Sequence, residues 1–173
     1  MREASRAMIS CCATSRSGAS RIVSALVLAA MALPGSAALA ATPFDRLGGS
    51  WAGNGTATFE GGKSEKLRCN GYYRNEGGTK LGLAIRCASP SNKIEVRGDL
   101  TYSGGSVSGT WEERTYNAGG TASGSGSEAG INLSFSGSAS GSMRVTVSGS
   151  RQSVSITYSG IALKSVNVSM SRR

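Results

Sequence analysis

The sequence predicts an all-β domain: a single antiparallel meander β-barrel of eight to ten strands, with a β-sandwich as the alternative. Three observations carry this. From Ser50 onward apolar and polar residues alternate in short runs. Those runs are punctuated by Gly-Gly, Ser-Gly or Pro-Ser-Asn at a spacing of roughly 8 to 12 residues, the pattern of short strands joined by turns. No stretch of useful length shows a 3.6-residue apolar period, so helix should be nearly absent.

In chain order, the first element is a leader. Arg2, Arg6, Arg16 and Arg21 make a basic segment, Ile22 to Leu33 an apolar one, and Ala38-Leu39-Ala40 a small-x-small cleavage site. A dozen residues fall short of the roughly 20 that span a bilayer. Residues 1–40 are therefore read as a cleaved signal peptide, taking Cys11 and Cys12 with them. Residues 41–173 form one domain, exported to the periplasm or beyond, with no membrane span in the mature chain.

Strands are expected at Ser50–Phe59, Glu65–Asn75, Lys80–Ala88, Asn92–Tyr102, Ser106–Tyr116, Gly119–Gly126, Gly130–Ser136, Ser142–Ser148, Gln152–Tyr158 and Ile161–Met170. Folding the second strand onto the third about Gly77-Gly78-Thr79 places Tyr73 opposite Leu83, Gly71 opposite Ile85 and Cys69 opposite Cys87. The same parity puts the apolar residues of both strands on one face, so the cysteine pair and the alternation select one register. A turn at Gly104-Gly105 sets Tyr102 against Val107, Leu100 against Gly109 and Gly98 against Trp111. Glycine facing a large side chain is how a curved sheet fills its interior. A third hairpin around Gly137 to Gly141 would align Phe135 with Met143, Leu133 with Val145 and Ile131 with Val147. The stretch Asn117 to Gly130 lacks any large apolar residue and reads equally as a strand or a long loop.

Composition narrows the chemistry. Residues 41–173 hold 15 Lys and Arg against nine Asp and Glu, a net charge of +6, and the whole chain contains no histidine. Without histidine no Ser-His-Asp or Cys-His arrangement and no His-based metal site can be built. Cys69 and Cys87, in an oxidising compartment, are expected to be a disulfide. No catalytic residue, metal or cofactor is expected, and a non-catalytic role is the expectation.

The segment Gly49-Ser50-Trp51 is similar to the Gly-x-Trp signature that opens the first strand of calycins, the lipocalin and avidin superfamily. The resemblance implies a barrel in which the tryptophan closes one end and a basic residue of the last strand, Arg172 or Arg173, packs across it. The likeness covers about seven residues and brings no ligand class with it, since no second or third lipocalin motif follows. The chain also looks like many small exported bacterial proteins.

Two groups of residues are candidates for function. Trp51, Tyr73, Tyr102, Trp111 and Phe135 point inward and, with Glu113 as polar anchor, would line a pocket for a small apolar ligand; the competing reading is a filled core. On the opposite face Lys66, Arg68, Arg74, Arg86 and Arg97 form a basic cluster suited to an anionic envelope component or an acidic protein target, as in an inhibitor-like module. Its competing reading is a solvated outer face that prevents edge-to-edge pairing. Nucleic acid is not an expected partner of an exported domain, and the sequence identifies no particular ligand.

Overall fold

The computed structural model describes residues 41–173, so the leader expected over residues 1–40 lies outside the described residues. A short helix, α1 (Pro43–Leu47), precedes ten strands: β1 (Gly49–Phe59), β2 (Ser64–Glu76), β3 (Lys80–Ala88), β4 (Lys93–Ser103), β5 (Ser106–Glu113), β6 (Ala118–Ser127), β7 (Gly130–Gly137), β8 (Ser140–Ser148), β9 (Arg151–Ser159) and β10 (Leu163–Arg172). Each strand pairs antiparallel with its sequence neighbours, and β1 pairs with β10, closing the sheet into a meander barrel. Among the described residues no helix is long and apolar enough to cross a membrane.

Two hairpins fold in the register that the alternation and the turns predict. Cys69 faces Cys87 and Tyr73 faces Leu83 across β2 and β3, and the two cysteines are bonded. Across β4 and β5, Gly98 faces Trp111 and Tyr102 faces Val107. The β7–β8 hairpin differs from expectation by two residues: Ile131 pairs with Val145, Leu133 with Met143 and Phe135 with Gly141. The connection is only Ser138-Ala139, tighter than the loop read from Gly137 to Gly141. A two-residue slip returns every side chain to its own face, so alternation alone cannot distinguish the two registers.

The glycine- and serine-rich stretch is a full strand, β6, paired along its length with both β5 and β7. Its glycines permit the backbone to bend against its neighbours. A Cβ at Gly124 would lie 2.0 Å from the Asn132 carbonyl oxygen, and one at Gly109 would lie 2.0 Å from that of Asp99. Neither contact is physically possible, so these positions are corners that only glycine allows. The expected fifth strand ends early, at Glu113 in place of Tyr116. Glu113 accepts the backbone N–H groups of Thr115 and Tyr116, and Asn117 takes a positive φ of 53°, which together turn the chain.

One end of the barrel is plugged. Pro43, Phe44 and Leu47 of α1 are buried there, and the Phe44 ring meets Tyr102 edge-on at 6.1 Å. Asp45 accepts the Thr42 backbone N–H at 2.8 Å and the Asn75 side-chain amide at 2.8 Å, fixing the helix start onto β2. Trp51 Nε1 donates to the Leu47 carbonyl at 2.8 Å, and the Arg172 guanidinium lies 4.5 Å from the Trp51 ring centroid. Arg172 also donates to the carbonyls of Gly48 and Arg46. Of the two terminal arginines, Arg172 therefore takes the place that the calycin resemblance implies.

Replacing Gly124 by Ala is expected to destabilise the fold by ~2 kcal/mol or more, because the backbone must move to admit the methyl group. Ser123→Ala on the exposed side of the same strand should stay within about 0.5 kcal/mol of the parent. Urea melts of the two variants check this; equal effects would remove glycine curvature as the reason for the strand's composition.

Candidate ligand-binding cavity

The plug consumes large side chains at one end and leaves the other end open. Tyr73 is buried in the plugged half, where Gln152 Nε2 donates to its hydroxyl at 3.0 Å. Burial pushes its phenol up to about 12, partly offset by the Gln152 hydrogen bond. Trp51 and Tyr102 belong to the same half through Leu47, Arg172 and Phe44. These three candidates are occupied in closing the barrel and do not line the open end.

Trp111, Glu113 and Phe135 do. They border a cavity of about 540 Å³ beneath the connections β3–β4, β5–β6, β7–β8 and β9–β10, whose wall includes Phe59, Cys87, Ile156 and Tyr158. Its floor is a chain of three rings: Trp111 against Phe135 at 5.8 Å and Phe135 against Tyr158 at 5.5 Å, both edge-on. Trp111 is flanked by Gly98 on β4 and Gly120 on β6, so its indole lies across the inner surface and donates from Nε1 to the Ser136 carbonyl at 3.3 Å. Below the rings a further void of about 60 Å³ is bordered by Leu83, Leu100, Ala122, Leu133 and Met143.

Glu113 is only 8% exposed, and its carboxylate is held by backbone. Oε1 accepts N–H groups of Glu95 and Thr115, both at 3.0 Å, and Oε2 accepts that of Tyr116 at 2.7 Å. Burial pushes the carboxyl upward, but the hydrogen bonds from Glu95, Tyr116 and Thr115 outweigh it and hold the group below its ordinary range. Burial, followed by the charge of Glu113, pushes the Tyr158 phenol up. Tyr116 stands at the rim, its hydroxyl donating to Asn92 Oδ1 at 2.9 Å. Tyr158 and Tyr116 were absent from the sequence-derived pocket. Tyr158 follows the same inward parity as Val154 and Ile156, so the alternation carried its signal.

The basic candidates lie on the outer wall of β2, β3 and β4. Arg86 and Arg97 share Glu95, at 3.0 and 2.8 Å, and Arg74 pairs with Glu76 at 2.6 Å. Lys66 and Arg68 are exposed on β2. Among the described residues no group of three or more His, Cys, Asp or Glu is gathered as for a metal.

No protein-family model matches the chain, and no curated protein matches it by sequence. Its likeness to known proteins is at the level of fold. It is similar to the crystal structure of Rv2717c from M. tuberculosis, with a TM-score of 0.61 and 14% identity over 74% of this chain and 93% of that one. It is also similar to the S-type phycobiliprotein lyase CPES from Guillardia theta, with a TM-score of 0.53 and 12% identity over 75% of this chain and 90% of that one.

Glu113→Gln is expected to cost about 2 kcal/mol near neutral pH, since an amide nitrogen cannot accept the N–H that a carboxylate oxygen accepts. Because the folded-state carboxyl is held below its ordinary range, its contribution is complete above that range and fades as pH falls through the lowered value. The stability gap between parent and variant should therefore narrow in acid. Denaturant melts at neutral and acidic pH test it, and a gap independent of pH would show that the ionised carboxylate is not what holds the turn.

Proposed function

We propose that the chain is an exported, non-catalytic binding protein that holds a small apolar ligand in the open end of its barrel. The observation that carries this is the cavity of about 540 Å³ with an aromatic floor and a mostly apolar wall, within the size range of small-molecule sites. Export rests on the leader composition of residues 1–40 and on the Cys69–Cys87 disulfide, which fits an oxidising compartment. The fold likenesses supply the scaffold and no ligand. A surface-interaction role for the basic wall has less support, since three of its five cations are engaged by Glu76 and Glu95.

A neutral, environment-sensitive dye, N-phenyl-1-naphthylamine, is expected to bind saturably with one site per chain. Trp111→Ala should weaken it, and Ala118→Trp, which places a ring into the cavity, should weaken it about tenfold or more, equivalent to ~1.4 kcal/mol. Both variants should keep the parent's far-UV circular dichroism. Non-saturable binding, or saturable binding untouched by Ala118→Trp, would place the dye elsewhere and remove the cavity as the site.

A further inference from the structure

We infer that the open-end cavity selects apolar molecules whose head is cationic or a neutral hydrogen-bond donor, and that it turns away anionic amphiphiles such as fatty-acid carboxylates. This rests on the reading of the cavity as a binding site and adds the class of ligand it takes.

The wall carries one formally charged side chain, Glu113, and no lysine or arginine among its described lining residues. A carboxylate offers about four acceptor positions. The Glu95 and Thr115 N–H groups bond Oε1 and that of Tyr116 bonds Oε2, and the Thr115 hydroxyl also bonds the carboxylate, so what a head group meets is the fixed negative charge and not a vacant acceptor. The Tyr158 hydroxyl borders the same space and has no hydrogen-bond partner among the described residues. The remaining polar lining comes from the neutral Ser89, Asn92 and Ser138.

An anionic head entering here would leave water, meet a fixed like charge and find no counter-ion, which is the costly case of charge burial. An ammonium head would instead be attracted by the Glu113 charge, an ammonium or hydroxyl head would donate to the Tyr158 oxygen, and a cation would gain further from the ring faces of the floor. Basic residues near the mouth do not reverse this. Lys63 pairs with Glu65 at 3.2 Å, Lys164 with Glu60 at 3.2 Å and Arg114 with Glu112 at 3.9 Å. Lys93, which opens β4 at this end, has no ion pair among the described residues and is a rim cation able to hold an anion. The net positive charge of the domain favours anions at long range, so a preference for cations has to come from the cavity wall.

The test is displacement of N-phenyl-1-naphthylamine by decylamine, decanol and decanoate, which share one chain length and differ in the head. It is run below their micellar concentrations at physiological ionic strength, where exposed charges are screened beyond ~8 Å. Decylamine and decanol are expected to displace the dye at concentrations about tenfold lower than decanoate. Glu113→Gln should erase most of that gap by strengthening decanoate, and Tyr158→Phe, which keeps the ring, should weaken decylamine and decanol alone. Should Glu113→Gln fail to fold, the parent ranking and Tyr158→Phe decide the matter.

Decanoate equal to or tighter than decanol in the parent overturns the selectivity while leaving the cavity a binding site. If Lys93→Ala abolishes that binding, the head sits at the rim. Failure of the dye and of all three compounds to bind overturns the binding reading itself, and the selectivity with it.

Discussion

Closure of the sheet is the constraint on which the rest of the structure depends. A meander of antiparallel strands leaves two unpaired edges, and here the first and last strands remove both by pairing from Trp51 with Arg172 to Phe59 with Leu163. The residues that begin this seam also close the barrel end. Trp51 ties the strand to α1 through Leu47, while Arg172 covers the indole and binds the carbonyls that lead into β1. One set of contacts thus fixes the ring of strands and seats the plug.

That arrangement divides the interior unequally. Phe44, Leu47, Trp51, Tyr73 and Tyr102 all serve the plugged half. At the other end four alanines, Ala57, Ala118, Ala139 and Ala162, alternate with larger apolar side chains in bordering the cavity. Trp111, Phe135 and Tyr158, linked edge-on, span that half as a floor without filling it, with Phe59 in the wall and Tyr116 at the rim. The cavity is the volume that this distribution of side chains leaves open. The barrel keeps its curvature there because glycines, and not bulky residues, occupy the corners.

Much of this was legible in the sequence, and the limits have physical reasons. The β2–β3 register could be read because two independent signals, a cysteine pair and an alternation, agree only in one alignment. The β7–β8 register could not, because alternation has a period of two and the slip is two residues. Helix α1 escaped notice through its brevity, although Thr42-Pro43-Phe44-Asp45 carries a start signal in the proline at its first position and the aspartate that binds back to Thr42. Inward parity identified Trp51, Tyr73, Tyr102, Trp111, Glu113 and Phe135 alike. Only the third dimension separates those near the plug from those near the mouth, since position along the barrel axis depends on strand stagger, which alternation does not encode.

Glu113 joins the fold to the chemistry of the open end. A carboxylate at an inward position is costly unless hydrogen-bonded, and this one is compensated by the backbone of its own turn and of β4. Its ionised form is therefore what folding stabilises, whether or not anything occupies the cavity. The electrostatic character of the open end is in this sense a by-product of how β5 turns into β6: the same hydrogen bonds that end the strand keep a negative charge at the cavity wall. Changing that charge means giving up the turn's best acceptor, so the sign of the field inside the barrel is tied to the stability of its rim.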